Sequence, residues 1–439
     1  MFSVEPVKPQ PANQLIGRAL AETETFGHED LAAYQRNQLQ QLLIFARAQS
    51  PFYRDRLASL FRRDGTIDWP RWRDLPVLTR ADIRQHGEAM RSQSLPRGHG
   101  PAYAAASSGT TGTPVTIHST RAMYLAGSAA FARACRWYGY NENDRTCVVF
   151  NASQTETLRQ KNRLPGDASD SGQSSPDRLV VSWTWSAERI LSLMEQHRST
   201  CFSGYATTLE NTAEAQLERR ANIAIKFMVG TSMALTARAR ELTAQAFNAR
   251  AFSAYTSKEA HKIAHECPVS GGFHVNSELV LVEILDDSGR PCGPGEVGRV
   301  IVTPFLSTAQ PLIRYEQGDL AAWGGSCPCG RAHALIARID GRVRNQFRFL
   351  NGHRFMPGIG HETFRDLLKA DRWQVAQTGP LDIEVRYISP APADTINFAA
   401  MTATFRQAYH RDLNVVYRKV DAMPLTPAGK FIDYVNEIE

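Results

Sequence analysis

Between a polar, breaker-rich stretch beginning at Lys161 (KNRLPGDASDSGQSSPDR) and about Tyr255, strand and helix signals alternate. Alternation of that kind is most economically folded as a mostly parallel sheet with helices on both faces, because each crossover between parallel strands needs a helix-length connection. The segment from Leu279 changes character. LVLVEILDDSGRPCGPGEVGRVIVTPF reads as two strands around an Asp-Asp-Ser-Gly turn and a Gly/Pro-rich corner, hence a more antiparallel part of the fold. The first ~100 residues, by contrast, carry helical spacing: Leu39, Leu42, Leu43 and Ala46 recur at turn intervals until Ser50-Pro51 ends the helix. The run TRAMYLAGSAAFARACRWYGY has the length and small-residue content of a buried helix, and Val148–Phe150 of a short buried strand. A break near Gly341-Arg342 divides an expected N-terminal domain, 1–340, from a C-terminal domain, 341–439.

Composition narrows the classes. With 439 residues, 43% hydrophobic and 21% charged, the chain can bury a large core, which excludes a disordered or disulfide-stapled protein. Lys+Arg 50 against Asp+Glu 44 gives only +6, scattered and without a basic cluster interleaved with aromatics, so no nucleic-acid partner is expected. An odd count of seven cysteines, no apolar leader behind MFSVEPVKPQ and no membrane-length apolar run are the features of a cytoplasmic protein without a membrane partner.

Two motif matches are set aside. Gly293-Pro294-Gly295-Glu296-Val297-Gly298 fits G-x-G-x-x-G, but it leads into a strand rather than a helix. His261 and His265 have zincin spacing, yet Lys262 stands where the glutamate base is needed. More informative is Ser107-Ser108-Gly109-Thr110-Thr111-Gly112-Thr113-Pro114. Two glycines let backbone N–H groups converge, and hydroxyls line the same concavity, which suits phosphate oxygens. On its own such a run is also an ordinary linker. Further along stand Tyr255-Thr256-Ser257-Lys258-Glu259, then Pro311-Leu312-Ile313-Arg314-Tyr315-Glu316-Gln317-Gly318-Asp319, Gly341-Arg342 and Pro427-Ala428-Gly429-Lys430.

In this order, with SPFYRDRL, DLPVLTRADIR, GPGEVGRVIVTPF, CPCGR and IDGRVRNQF, these segments resemble the adenylate-forming superfamily, most closely the phenylacetate–CoA ligase family. The resemblance spans nearly the whole chain. It implies an α/β fold, with a large multi-subdomain N-terminal domain of mixed and parallel sheets and a small mobile α+β C-terminal domain. It also implies the activity: ATP and a carboxylic acid give acyl-AMP and pyrophosphate, and the acyl group then passes to a thiol. Ser107, Ser108, Gly109, Thr110, Thr111 and Gly112 would hold the β/γ-phosphates. Gly230, Thr231, Tyr255 and Thr256 would border adenine, and Glu259 would bind Mg²⁺. Asp319 would accept from the ribose hydroxyls, Arg342 would hold ribose or phosphate oxygens, and Lys430 would be the adenylation cation.

Departures from the family pattern are Thr113 in place of a lysine, Thr256 in place of glycine, Lys258 in place of Ser/Thr and Arg344 in place of an aspartate; Gly230-Thr231-Ser232 lacks the usual acid. CoA is the leading thiol. A carrier-protein phosphopantetheine or an amine is the second reading, and a catalytically weak nucleotide- or partner-binding protein the third; a homodimer is compatible with all three.

Cys267, His274, Cys327 and Cys329 make a Cys₃His set that would suit structural zinc, the alternative being reduced, partly buried thiols. Trp137, Tyr138, Phe150, Trp183, Trp185 and Tyr205 would wall an aryl-acid pocket, or else belong to the core.

Overall fold

The computed structural model describes residues 12–106, 115–150, 178–183, 185–220, 222–231, 235–342, 346–350, 354–355, 359, 361–370, 372–423 and 431–438. It divides into two compact units, one built from most of residues 1–338 and the other chiefly from 339–439.

Helices open the first unit, at Ala12–Thr23, His28–Gln49, Pro51–Arg56 and Arg80–Met90. Ser50-Pro51 does end a helix as expected, and Pro51 then begins the next one at a position where its missing N–H costs nothing. The DLPVLTRADIR segment works by capping and docking. Thr79 and Asp82 form a reciprocal capping box, while Leu78 pairs by its backbone with the Arg314–Glu316 segment. Arg314 locks that junction: buried, it donates to both Glu283 oxygens at 3.1 and 3.2 Å and to the Leu75 carbonyl at 2.5 Å.

Two short strands, β1 (Ala102–Ala106) and β2 (Thr116–Thr120), pair antiparallel. The expected helix follows at Arg121–Trp137, capped by the Thr120 hydroxyl on the Met123 N–H. Then come β3 (Thr146–Phe150), β4 (Arg178–Ser182), β5 (Cys201–Tyr205), β6 (Phe227–Thr231) and β7 (Arg250–Ser257), alternating with helices Ala187–His197, Ala206–Arg219 and Ala237–Phe247. β4, β3, β5, β6 and β7 are mutually parallel neighbours in that order. Glycine is needed at Gly204, where an added Cβ would lie 2.4 Å from the Val149 Cβ.

At β7 the sheet changes sense. β8 (His261–Glu266), β9 (Phe273–Val275), β10 (Val280–Leu285), β11 (Val297–Pro304), β12 (Tyr315–Trp323) and β13 (Leu335–Arg342) extend it to eleven strands among the described residues, with antiparallel pairing at β7–β8, β8–β9, β9–β13 and β10–β11. The Asp286–Gly289 turn joins β10 to the corner leading into β11, with Gly289 at φ 82°. His261 and His265 lie on a strand, so the zincin spacing has no helix beneath it.

Helix Arg121–Trp137 carries a guanidinium into the core. Arg133 is 0% exposed and pairs with Glu278, Nη1–Oε1 2.5 Å and Nη2–Oε2 3.3 Å; Asn276 Oδ1 accepts from Nη2 at 3.1 Å. Thr23 donates to Glu278 at 2.7 Å, and His333 Nε2 lies 2.8 Å from the same carboxylate.

In the second unit, β14 (Phe347–Arg348) pairs with β15 (Arg354–Phe355), and a four-stranded sheet is ordered β18 (Asn414–Lys419), β17 (Asp382–Ile388), β16 (Arg372–Gly379), β19 (Tyr434–Asn436). Helices His361–Leu368 and Phe398–Ala408 complete its core, where Phe364 stacks on Trp373 at 3.6 Å. Gly341 (φ 99°) and Arg342 end β13.

The Arg133–Glu278 pair sets a stability expectation. Burial pushes the Glu278 carboxyl up, but the His333 hydrogen bond and the Arg133 charge outweigh it and hold the group well below the usual carboxylate range. Its contribution is therefore present above the unfolded carboxylate pKa and lost as pH falls through the depressed folded value. Glu278→Gln should cost about 3–5 kcal/mol in urea unfolding at pH 7, because Arg133 is left buried without its counter-charge. The difference from the native chain should narrow below about pH 4.

Candidate functional site

The parallel strands locate the site. β3 is flanked by β4 on one side and β5 on the other, so successive connections leave in opposite directions. A crevice opens at the carboxyl ends of strands where order reverses in this way. Those ends carry Tyr205 on β5, Gly230 and Thr231 on β6 and, past the last parallel pair of β7, Tyr255 and Thr256. Tyr205 and Thr231 are paired in register, and the Thr231 hydroxyl donates to the Gly204 carbonyl at 3.1 Å, tying the two ends together.

Tyr255 and Thr256 sit where β7 leaves β6 and turns to β8, with a β-bulge between them. A bulge re-aims side chains locally, here beside the strand ends. The turn that follows carries Glu259. Its backbone is held by Ala260 N–H donating to Ser257 Oγ at 2.9 Å. Glu259 is only 9% exposed, yet no hydrogen bond or ion pair to a described residue holds its carboxylate. A buried carboxylate without a partner is costly unless a cation or donor is supplied. Asp319 is buried on β12, next to Gly318 at φ 74°. Arg342 is the last residue of β13. Ser107 to Thr113, Ser232, Arg344 and Lys430 lie outside the described residues.

The aromatic set does not form one wall. Tyr138 is core: it stacks on Phe252 at 3.9 Å, and its hydroxyl donates to the Glu266 carbonyl at 2.8 Å. Trp137 turns toward the cysteine loop, edge-on to His274 with ring centroids 6.0 Å apart. Trp183 and Tyr205 meet edge-on at 6.5 Å, whereas Trp185 lies under the Arg189 guanidinium. The reason is directional: Trp137 and Tyr138 end a helix on one side of the sheet, while the others follow strand ends elsewhere. The Phe150 side chain is outside the described residues.

The four metal-type residues do converge. Their donor atoms all lie within 4.8 Å of one another. Cys267 Sγ is 3.6 Å from Cys327 Sγ, and His274 Nε2 is 3.1 Å from Cys329 Sγ. A tetrahedral ion with Zn–S of about 2.3 Å and Zn–N of about 2.0 Å has edges of roughly 3.5–3.8 Å, so the cluster is already near the size of a filled site. Both cysteine turns are tight: Gly271 N–H donates to Cys267 O, Gly330 N–H donates to Cys327 O, and both glycines have positive φ. His274 Nδ1 is 3.1 Å from the His333 carbonyl, which can only accept, so Nδ1 carries the proton and Nε2 presents its lone pair to the cluster. Burial lowers the His274 imidazole to about 4, keeping it neutral as a ligand must be. At Cys267, burial raises the thiol, but N–H donation from Ser270 and Val269 outweighs it and the net shift is downward.

A cleft of about 460 Å³ lies beside this loop, walled by Leu31, Gln35, Trp323, Cys327, Arg331 and His333 among others. Tyr255, Glu259 and Asp319 are not among its walls, so it is separate from the strand-end site.

The residues that sequence reasoning missed here are Lys262 and the His333–Glu278–Arg133 group behind the cysteines. Their signal lies only in contacts between segments far apart in the chain.

Comparison with known proteins comes down on one architecture. No family model matches the sequence. A phenylacetate–coenzyme A ligase of Thermus thermophilus is 26% identical over 340 residues, 73% of this chain and 72% of that protein. The crystal structure of a 2-hydroxyisobutyryl-CoA ligase in the postadenylation state superposes with a TM-score of 0.72 at 18% identity, covering 95% of this chain and 92% of that one. O-succinylbenzoate coenzyme A synthetase from Bacillus subtilis, solved with ATP and magnesium ion, gives 0.53 at 15% identity over 75% and 68%.

Gly230 provides a local test of the strand-end geometry. A Cβ there would lie 2.7 Å from the Leu235 Cγ, so Gly230→Ala should cost about 1–3 kcal/mol in thermal or urea unfolding and displace Leu235. On these findings the chain has the fold of the adenylate-forming CoA ligases, and its sequence is similar to phenylacetate–coenzyme A ligase.

Proposed function

We propose that the protein is an ATP-dependent, AMP-forming acid–thiol ligase, converting a carboxylic acid to acyl-AMP with release of pyrophosphate and passing the acyl group to CoA. The observation that carries this reading is Glu259, 9% exposed and without a hydrogen-bond or ion-pair partner for its carboxylate among the described residues, on the turn beyond the parallel strand ends, beside Tyr255 and Thr256. That is the environment a magnesium–nucleotide complex would complete, since the ion supplies the missing positive charge.

In the first step a carboxylate oxygen attacks the α-phosphorus and pyrophosphate leaves. Two anions must approach, so positive charge and N–H donors have to be in place beforehand. Ser107 to Gly112 and Lys430 are assigned to this work by resemblance, as are Asp319 for the ribose hydroxyls and Arg342 for ribose or phosphate oxygens. In the second step a thiolate attacks the acyl carbon, AMP leaves, and a thioester forms. The 341–439 segment would serve as the mobile domain carrying Lys430. The acceptor is tested by adding CoA or a phosphopantetheinylated carrier to the same assay.

The assay is pyrophosphate release from ATP and Mg²⁺ over a panel of aryl, arylacetic and aliphatic acids. Acid-dependent release is expected, and Lys430→Ala should lower it by about 10²–10³-fold while ATP binding persists. Release independent of any acid, or unchanged turnover in Lys430→Ala, would contradict the assignment.

We also propose that Cys267, His274, Cys327 and Cys329 hold a structural zinc. Elemental analysis should find about one zinc per chain, and Cys329→Ser should lose it together with a substantial part of the thermal stability. A fully folded, metal-free native protein would remove this assignment.

A further inference from the structure

Among the described residues, Lys262 is a cation without an anionic partner. It lies on β8, paired in register with Thr256 across the β7–β8 hairpin, and three residues beyond Glu259. Its Nζ makes no hydrogen bond or ion pair with a described residue; its contact is the face of Phe131, 4.7 Å from the ring centroid. The groups facing it are Gly127, Phe131 and Cys135 from helix Arg121–Trp137, Arg178 from the start of β4, and its neighbour His261. None is a carboxylate. His261 is held in a left-handed conformation (φ 54°), and its Nε2 lies 3.1 Å from Ser119 Oγ. Burial lowers that imidazole to about 4, so it stays neutral and supplies no counter-charge. Burial likewise draws the Lys262 ammonium down to about 8, against a weaker upward pull from the Cys135 thiol.

Lys262 is nevertheless not sealed in. Part of its surface remains accessible, and with Met123, Gly127, Ala260, His261 and Leu306 it borders a cavity of about 10 Å³, room for one water-sized group. An ammonium kept in such a place without a partner is costly unless a ligand brings the anion. A cation–π contact on one phenyl face is too weak to replace it.

Resting on the ligase reading, we infer that Lys262 selects the acid: it receives a second oxygen anion of the substrate, at the end remote from the carboxylate that is adenylated. The substrate class is then an acid with a distal carboxylate or a distal phenolic oxygen, and the unsubstituted aryl acid is the poorer substrate. The cavity admits a single oxygen; the links from it to the strand-end site are Ala260 on its wall, which follows Glu259 on the same turn, and the Thr256–Lys262 pair, and the body of the acid would extend along them.

The test compares matched acids: a phenylacetic acid, its hydroxylated analogue and a dicarboxylic analogue of the same length. Native protein and Lys262→Met are used, because methionine keeps the length, removes the charge and is expected to raise the unfolding temperature. The native chain should prefer one of the two substituted acids, in kcat/KM for pyrophosphate release, by about 10²-fold over the unsubstituted acid; which one wins separates a carboxylate from a phenolic partner. Lys262→Met should bring that ratio to about one or invert it. Calorimetric binding of the same acids should show the same loss without depending on turnover. Equal ratios in the two proteins, in turnover and in binding, overturn the inference. Binding that discriminates through Lys262 with no pyrophosphate release from any acid supports the inference about the pocket and instead overturns the ligase reading.

Discussion

The Arg133–Glu278 ion pair is the interaction on which the rest of the larger unit depends. It brings a helix, the segment leading into β10 and the end of the cysteine loop to one buried point, where the Glu278 carboxylate is shared among several donors. Glu278 accepts from Arg133, Thr23 and His333, so its carboxylate joins the first helix, the Arg121–Trp137 helix and the loop before β13. Water cannot substitute for any of these partners at 0–3% exposure. A buried group of this kind contributes little net stability while complete and costs heavily when any member is removed, which makes it a device for fixing one arrangement.

The same point braces the cysteine cluster. His333 contacts Glu278 through its ring and His274 through its carbonyl, while Arg331 reaches Glu24 at 3.2 Å and lies over Trp137. The β8–β9 hairpin that carries Cys267 and His274 is the continuation of the turn that carries Glu259. Any ion held by the cluster would therefore stiffen the hairpin that presents Tyr255, Thr256, Glu259 and Lys262, while standing outside the reacting groups.

Much of this was legible in the sequence, for a physical reason: the alternation before Tyr255 and the change after Leu279 report backbone periodicities that burial enforces at every turn. The helix at Arg121–Trp137 and the β10–β11 strands fall where spacing placed them. The Cys₃His set was legible too, because Cys-Pro and Gly flank the ligands in tight turns. Side-chain direction was not. Trp137, Tyr138, Trp183 and Trp185 are near in sequence to the expected pocket, yet point to different surroundings, since neighbouring residues on a helix end diverge by about 100°. Lys262 shows the converse. In a sequence it is an ordinary strand lysine beside two histidines, and only packing against Gly127 and Phe131 makes it unusual.

The central claim is that ATP is cleaved at its α-phosphorus by a carboxylic acid. Acid-dependent exchange of labelled pyrophosphate into ATP, measured without any thiol, tests it most directly. Exchange that requires Mg²⁺ and one class of acid, with AMP as the nucleotide product once CoA is added, is the result the account requires. ADP and phosphate as products, or exchange that proceeds equally well without acid, would contradict it.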